Sequence, residues 1–115
     1  MKILYVITGL GQGGAERVVC DLADKMYEKG HEVKIVYLTG EVFTHPVCNE
    51  IELIKINLDN LITFPKAYLN LSKFIKFYQP DIVHAHMIHA NLFTRLVRII
   101  TPIKKLICTA HSVNE

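Results

Sequence analysis

Glycine and histidine carry most of the chemistry that this chain of 115 residues offers. Gly9-Leu10-Gly11-Gln12-Gly13-Gly14 places four glycines in six positions, directly after an apolar run and directly before a helical pattern. Glycine admits positive φ and lets the backbone approach a ligand closely. The helix that the glycines open presents free N–H groups and the positive end of its dipole. That pairing suits a phosphate or another anion. A plain strand-to-helix turn is the simpler reading, but it does not require four glycines. Arg17 stands one turn into the helix, placed to meet an anion bidentately if it faces the same rim; otherwise it is a solvated side chain paired with Glu16 or Asp21. Glu16 suits the helix N-terminus through the macrodipole. Gly9, Gly11 and Gly14 also fit the G-x-G-x-x-G spacing of a dinucleotide site, which wants an acid at the end of the second strand. That end reads Tyr37-Leu38-Thr39-Gly40, with Glu41 coming late.

The histidines gather in the second half. His84 and His86 are two apart and share one strand face. His84 is expected deeper, as a hydrogen-bonded core histidine, with His86 at the tip and His89 beyond it reaching a cleft. A zinc site from these three would need a fourth ligand that the segment does not supply, and no helical HExxH is present, so no metal is expected. His111 ends the last apolar run. It is placed either to reach the same cleft or to cap the strand end, and position alone does not decide between them.

The elements that must position these residues are read from periodicity. Ile3 to Ile7 is continuously apolar, as a parallel strand covered on both faces should be. Ala15, Val18, Val19, Leu22, Ala23 and Met26 form a helical stripe, and Gly30 stands where a C′ residue belongs. Further strands are expected over Val33–Leu38, Ile51–Ile56 (nearer the sheet edge), Asp81–His86 and Lys105–Ala110. Helices are expected over Pro65–Tyr78, stopped by Pro80, and Asn91–Ile100, with Leu92, Phe93, Leu96, Val97 and Ile100 inward. Thr39 to Asn49 is long for a structureless connection, which marks a working or mobile loop. Strands alternating with helices predict an α/β fold with a doubly wound, mostly parallel, Rossmann-like sheet. In such a sheet ligands sit outside the carboxyl ends of the strands. Five of the six glycines and four of the six histidines fall in the segments at those ends.

Composition narrows the classes. Half the residues are hydrophobic, 21% are charged, and the mean hydropathy is +0.25, enough for one folded domain and too apolar for a disordered chain. A net charge of +2 is too balanced for nucleic acid to be the main ligand. Cys20, Cys48 and Cys108 are widely spaced and odd in number, which suggests no disulfide framework and a reduced, cytosolic setting. No apolar run approaches the roughly 18–20 residues of a spanning helix, and Ile3 to Ile7 is too short for a signal sequence. Lys66, Lys73, Lys76, Arg95, Arg98, Lys104 and Lys105 make the second half basic, with Phe74, Phe77 and Tyr78 interleaved. A solvated face is the plain interpretation, and peripheral contact with anionic lipid the sharper one.

Three segments carry a resemblance. Gly13-Gly14-Ala15-Glu16-Arg17-Val18-Val19 is similar to the GGAER opening of family 4 glycosyltransferases. Pro80-Asp81-Ile82-Val83-His84-Ala85-His86 resembles their PDIVHAH strand, and Thr109-Ala110-His111-Ser112 their strand-end TxH motif. The order is the family's and the three span the chain. The resemblance implies that residues 1–115 are the N-terminal, acceptor-side, Rossmann-like domain of a GT-B enzyme. Such an enzyme transfers a sugar, typically a hexose, from a nucleotide-sugar donor with retention and without metal or other cofactor. The acceptor would be a saccharide or a lipid-linked acceptor in the synthesis of cell-surface polysaccharide or glycoconjugate. It further implies that Gly13 and Gly14 approach the donor diphosphate and that His111 lies beside the transferred sugar as the catalytic group. Arg17, His86 and His89 would face the acceptor. The family's second, donor-binding domain has no counterpart in these 115 residues, so the domain is expected to be truncated and inactive alone. Its expected place is the cytoplasm, at the inner face of the membrane. The rivals are an NAD(P)-dependent Rossmann oxidoreductase, for which no Tyr-x-x-x-Lys follows the fourth strand, and a non-enzymatic flavodoxin- or receiver-like module. A receiver would want acids where Thr8-Gly9 stand.

Overall fold

The computed structural model describes residues 1–11, 13–58 and 62–109. The apolar run at the N-terminus forms β1 (Lys2–Ile7), which is buried on both faces. Its side chains alternate: Leu4 and Val6 enter one core, and Ile3, Tyr5 and Ile7 the other. β1 pairs in parallel with β2 (Glu32–Tyr37) on one side and β4 (Ile82–His86) on the other, so that Tyr5 stands between Ile35 and His84. β3 (Glu52–Lys55) and β5 (Leu106–Thr109) complete the parallel order β3-β2-β1-β4-β5. The chain leaves β1 toward β2 and β3, then crosses back to β4 and β5. The crevice outside the ends of β1 and β4 is therefore the topological switch point, where an open α/β sheet binds ligands.

One helix covers one face and two cover the other. α1 (Gly14–Glu28) buries Val19, Cys20 and Ala23. The expected stripe is rotated: Val18 faces water and Cys20 takes its place in the core. α1 ends in a Schellman motif, with Gly30 at φ 93°, its N–H donating to Tyr27 O, and the His31 N–H donating to Met26 O. α2 (Phe64–Tyr78) has Pro65 in its first turn and stops at Gln79, whose φ of 51° is left-handed, just before Pro80. α3 (Ile88–Ile100) starts three residues earlier than the apolar spacing predicts. It buries Ala90, Asn91, Phe93, Thr94 and Val97, and leaves Leu92, Leu96 and Ile100 exposed. Phe93 and Val97 are inward as expected; the other three are not, because the small residues Ala90 and Thr94 set the contact face against the sheet.

The segment between β2 and β3 is tied down rather than loose. Leu10 O accepts from both the Phe43 and Thr44 N–H groups, at 2.7 and 3.0 Å. The Asp24 carboxylate on α1 accepts from the Val47 and Cys48 N–H groups, each at 2.9 Å. Of the two expectations, a working or a mobile loop, these ties favour the first: the segment is a strap across the glycine turn and the head of α1.

Candidate functional site

The crevice begins at the head of α1. Gly13, extended at φ −102°, is the N-cap, and its N–H donates to Glu16 Oε2 at 3.1 Å. A Cβ at Gly13 would lie 2.7 Å from Glu16 Oε1, so a side chain there would make the flexible carboxylate shift from its present place over the turn. At Gly9 a Cβ would press on Thr39 O at 3.1 Å, whereas at Gly14 it would meet nothing. The glycine run therefore does hold an anion at the helix N-terminus, and that anion is the chain's own Glu16 side chain.

Arg17 follows its paired alternative. One guanidinium nitrogen donates to His45 O at 3.1 Å, and Nε lies 3.9 Å from Asp21 Oδ1. Thr44 Oγ1 donates to Gly11 O, closing the strap onto the turn. Gly13, Arg17, Phe43, Thr44, His45 and Val47 line an open groove of about 480 Å³ on this rim. A second cavity, about 370 Å³, lies at the opposite end of the strands between Ile75, Gln79, Pro80, Pro102 and Lys104; it is remote from the switch point.

The histidines are placed differently from expectation. His86 is the buried one, only 1% exposed, while His84 is half-buried. Their rings are 4.0 Å apart and both lie against Tyr5. The reason is register: His86 is paired with Ile7 of β1, inside the sheet, not beyond it. His84 Nε2 hydrogen-bonds Thr109 Oγ1 at 2.8 Å. His89 is exposed in the first turn of α3 and does not join the other two. His111 lies outside the described residues. Among the described residues no three His, Cys, Asp or Glu side chains gather as a metal site.

Two side chains and one backbone N–H that the sequence did not single out hold the rim together. Thr8 Oγ1, at the end of β1, accepts from the Ala90 N–H and so satisfies a free donor at the head of α3. Asn91 Nδ2 and the Met87 N–H both donate to Thr109 O. Met87 itself has φ 78° and ψ 151°, a region of backbone space used almost only by glycine. Thr8 could not have been found, because the helix head it serves lies 82 residues further along the chain. Nor could the two partners of Thr109, because they depend on the lateral pairing of β4 with β5.

Burial governs two groups away from the groove. Desolvation pushes the Cys20 thiol up to about 11, with Asp24 and Asp21 adding to the rise and Arg17 opposing it. Burial likewise raises the Tyr5 phenol. No helix among the described residues is long and apolar enough to cross a membrane.

Residues 12–115, from inside the glycine turn onward, match the family model Glycosyltransferase Family 4. No curated protein matches the chain.

Proposed function

This chain belongs to Glycosyltransferase Family 4, and from that premise we propose that it shapes the acceptor-side half of a sugar-transfer site. The donor is a nucleotide sugar whose diphosphate approaches Gly13 and Gly14 from the groove. The acceptor, a saccharide or a lipid-linked saccharide, lies toward Arg17 and His89. A second α/β half would supply the contacts to base and sugar, and neither metal nor another cofactor takes part. His111 would stand beside the transferred sugar and stabilise charge as the leaving phosphate departs with retention of configuration.

One observation supports this most: the glycine turn, the strap and the switch-point crevice share one rim, and the family match begins inside that turn. His86, buried beside the rings of Tyr5 and His84, would act by supporting them and not by direct acceptor contact. A diphosphate must also compete with Glu16 for the Gly13 N–H at the head of α1.

The test is an amide-resonance titration with UDP, GDP and NADH. Nucleoside diphosphate should shift the resonances of Gly11, Gly13, Gly14 and Thr44. Shifts produced by NADH and by neither diphosphate would replace sugar transfer with the oxidoreductase reading.

A further inference from the structure

The strap carries one imidazole whose tautomer is set by its own neighbour. His45 is exposed on the groove that Arg17 and Phe43 also line. Its Nδ1 lies 2.9 Å from Pro46 O. A carbonyl oxygen can only accept, so Nδ1 carries the hydrogen and donates it. In the neutral ring Nε2 then keeps a lone pair and no proton. No described residue bonds Nε2.

The backbone that holds this ring is pinned on both sides. Before it, the Phe43 and Thr44 N–H groups donate to Leu10 O; after it, the Val47 and Cys48 N–H groups donate to Asp24. His45 O itself accepts from the Arg17 guanidinium at 3.1 Å. Three unlike groups therefore line one groove on a fixed frame: a pure acceptor at His45 Nε2, the remaining donors of Arg17, and the Phe43 ring, 60% exposed. A sugar ring matches that set. One hydroxyl can give its proton to Nε2 while a neighbouring oxygen accepts from Arg17. The weakly positive C–H face can lie on the negative face of Phe43. An ionised phosphate has no hydrogen to give Nε2, and an ammonium group would be repelled by Arg17.

We propose that His45 is a specificity residue: its Nε2 accepts a hydrogen bond from one hydroxyl of a saccharide seated on Phe43. Calling that saccharide the acceptor rests on the proposed function; that Nε2 takes a hydroxyl rests on the geometry of the strap. A site built to bond a substrate hydroxyl rejects the analogue that lacks it.

Nuclear magnetic resonance of the chain tests this. The nitrogen resonances of neutral His45 should show Nδ1 protonated and Nε2 bare. Titration with the methyl α-glycosides of glucose, mannose, galactose and N-acetylglucosamine should shift the His45 and Phe43 ring signals with at least one of them. One monodeoxy form of that glycoside should bind about tenfold more weakly. His45→Asn keeps a donor for Pro46 O but cannot reach the place of Nε2. It should bind the intact glycoside about tenfold more weakly and be indifferent to the same deoxygenation. His45→Gln carries an amide oxygen out to that place and should recover most of the affinity. Unchanged amide signals for the strap would show that both variants keep its fold. The opposite tautomer, no His45 response to any of the four glycosides, or a deoxygenation penalty as large in His45→Asn as in the parent would overturn the proposal. So would a His45 response to inorganic phosphate alone. Titration with UDP and GDP separates this from the donor reading. Glycoside binding at His45 with no response to either nucleotide would sustain the role of His45 and remove the donor; the reverse result would remove the role of His45 and leave the donor.

Discussion

Glu16 sets the terms on which any external anion reaches the head of α1. Its carboxylate lies where a diphosphate would seek the same N–H donor, that of Gly13. Glu16→Gln keeps the shape and an acceptor oxygen but removes the charge. One like charge at close range in a wet groove is worth about 1 kcal/mol. UDP or pyrophosphate should therefore bind roughly fivefold more tightly to the variant by calorimetry, while the helix loses about 0.3–1 kcal/mol of dipole stabilisation. Weaker binding would mean that the carboxylate helps to hold the ligand. Cys20 illustrates the other kind of residue-scale control. It lies on the buried face of α1, and desolvation raises its thiol to about 11, so thiolate is scarce at neutral pH. Alkylation of the native chain near pH 8 should modify Cys48 and Cys108 first, with Cys20 reacting only after denaturant is added, as mass spectrometry of the products would show.

At the scale of elements, strain is placed at junctions. Gln79 closes α2 in the left-handed region, where a non-glycine residue costs about 1–2 kcal/mol. Gln79→Gly should stabilise the chain by about 0.5–1 kcal/mol after the larger unfolded-state entropy of glycine is subtracted, measured by urea unfolding. Met87 is the sharper case. Its side chain packs against the α1-side core while its backbone sits in glycine territory. Removing the side chain costs the same packing in Met87→Ala and Met87→Gly, but only glycine relieves the backbone. The usual order should invert, with the glycine variant more stable than the alanine variant by about 1 kcal/mol. These junctions also mark what the sequence could tell. The strands, the Gly30 cap and the Pro65 and Pro80 limits of α2 were legible, because each depends on a local period or a single special residue. Which face of α3 turns inward was not, since Leu92, Leu96 and Ile100 are as apolar as Phe93 and Val97, and only the sheet beneath selects among them. The depth of His86 depends on its register with Ile7, which no local pattern encodes. The preference of Glu16 for the head of α1 was legible from its place in the first turn, but its hydrogen bond back to the Gly13 N–H was not.

Across the whole molecule the two ends of the strands do different work. The carboxyl ends carry the glycine turn, the strap and the groove; the amino ends carry polar ties that hold the sheet shut. Asp81 is the chief of these. One carboxylate oxygen accepts from the Lys2 N–H at 2.8 Å, tying the start of β1 to the approach to β4. The other lies 3.4 Å from Lys104 Nζ, ahead of β5. The Lys2 hydrogen bond first, then the Lys104 contact, lower the Asp81 carboxyl below its ordinary 3.8. A group whose folded value is depressed contributes its full stabilisation above the unfolded value and loses it as pH falls through the folded one. The tie across β1, β4 and β5 should therefore be intact from neutral pH down to about 4 and released below that. Asp81→Asn should be less stable than the parent at pH 7, and urea midpoints measured from pH 7 to pH 2 should converge as the parent carboxyl protonates. The groove lies at the other end of the strands, so nucleotide titration at neutral pH should be the same for Asp81→Asn and the parent. A gap in urea midpoint that stayed constant down to pH 2 would show that Asp81 acts by shape alone, without its charge.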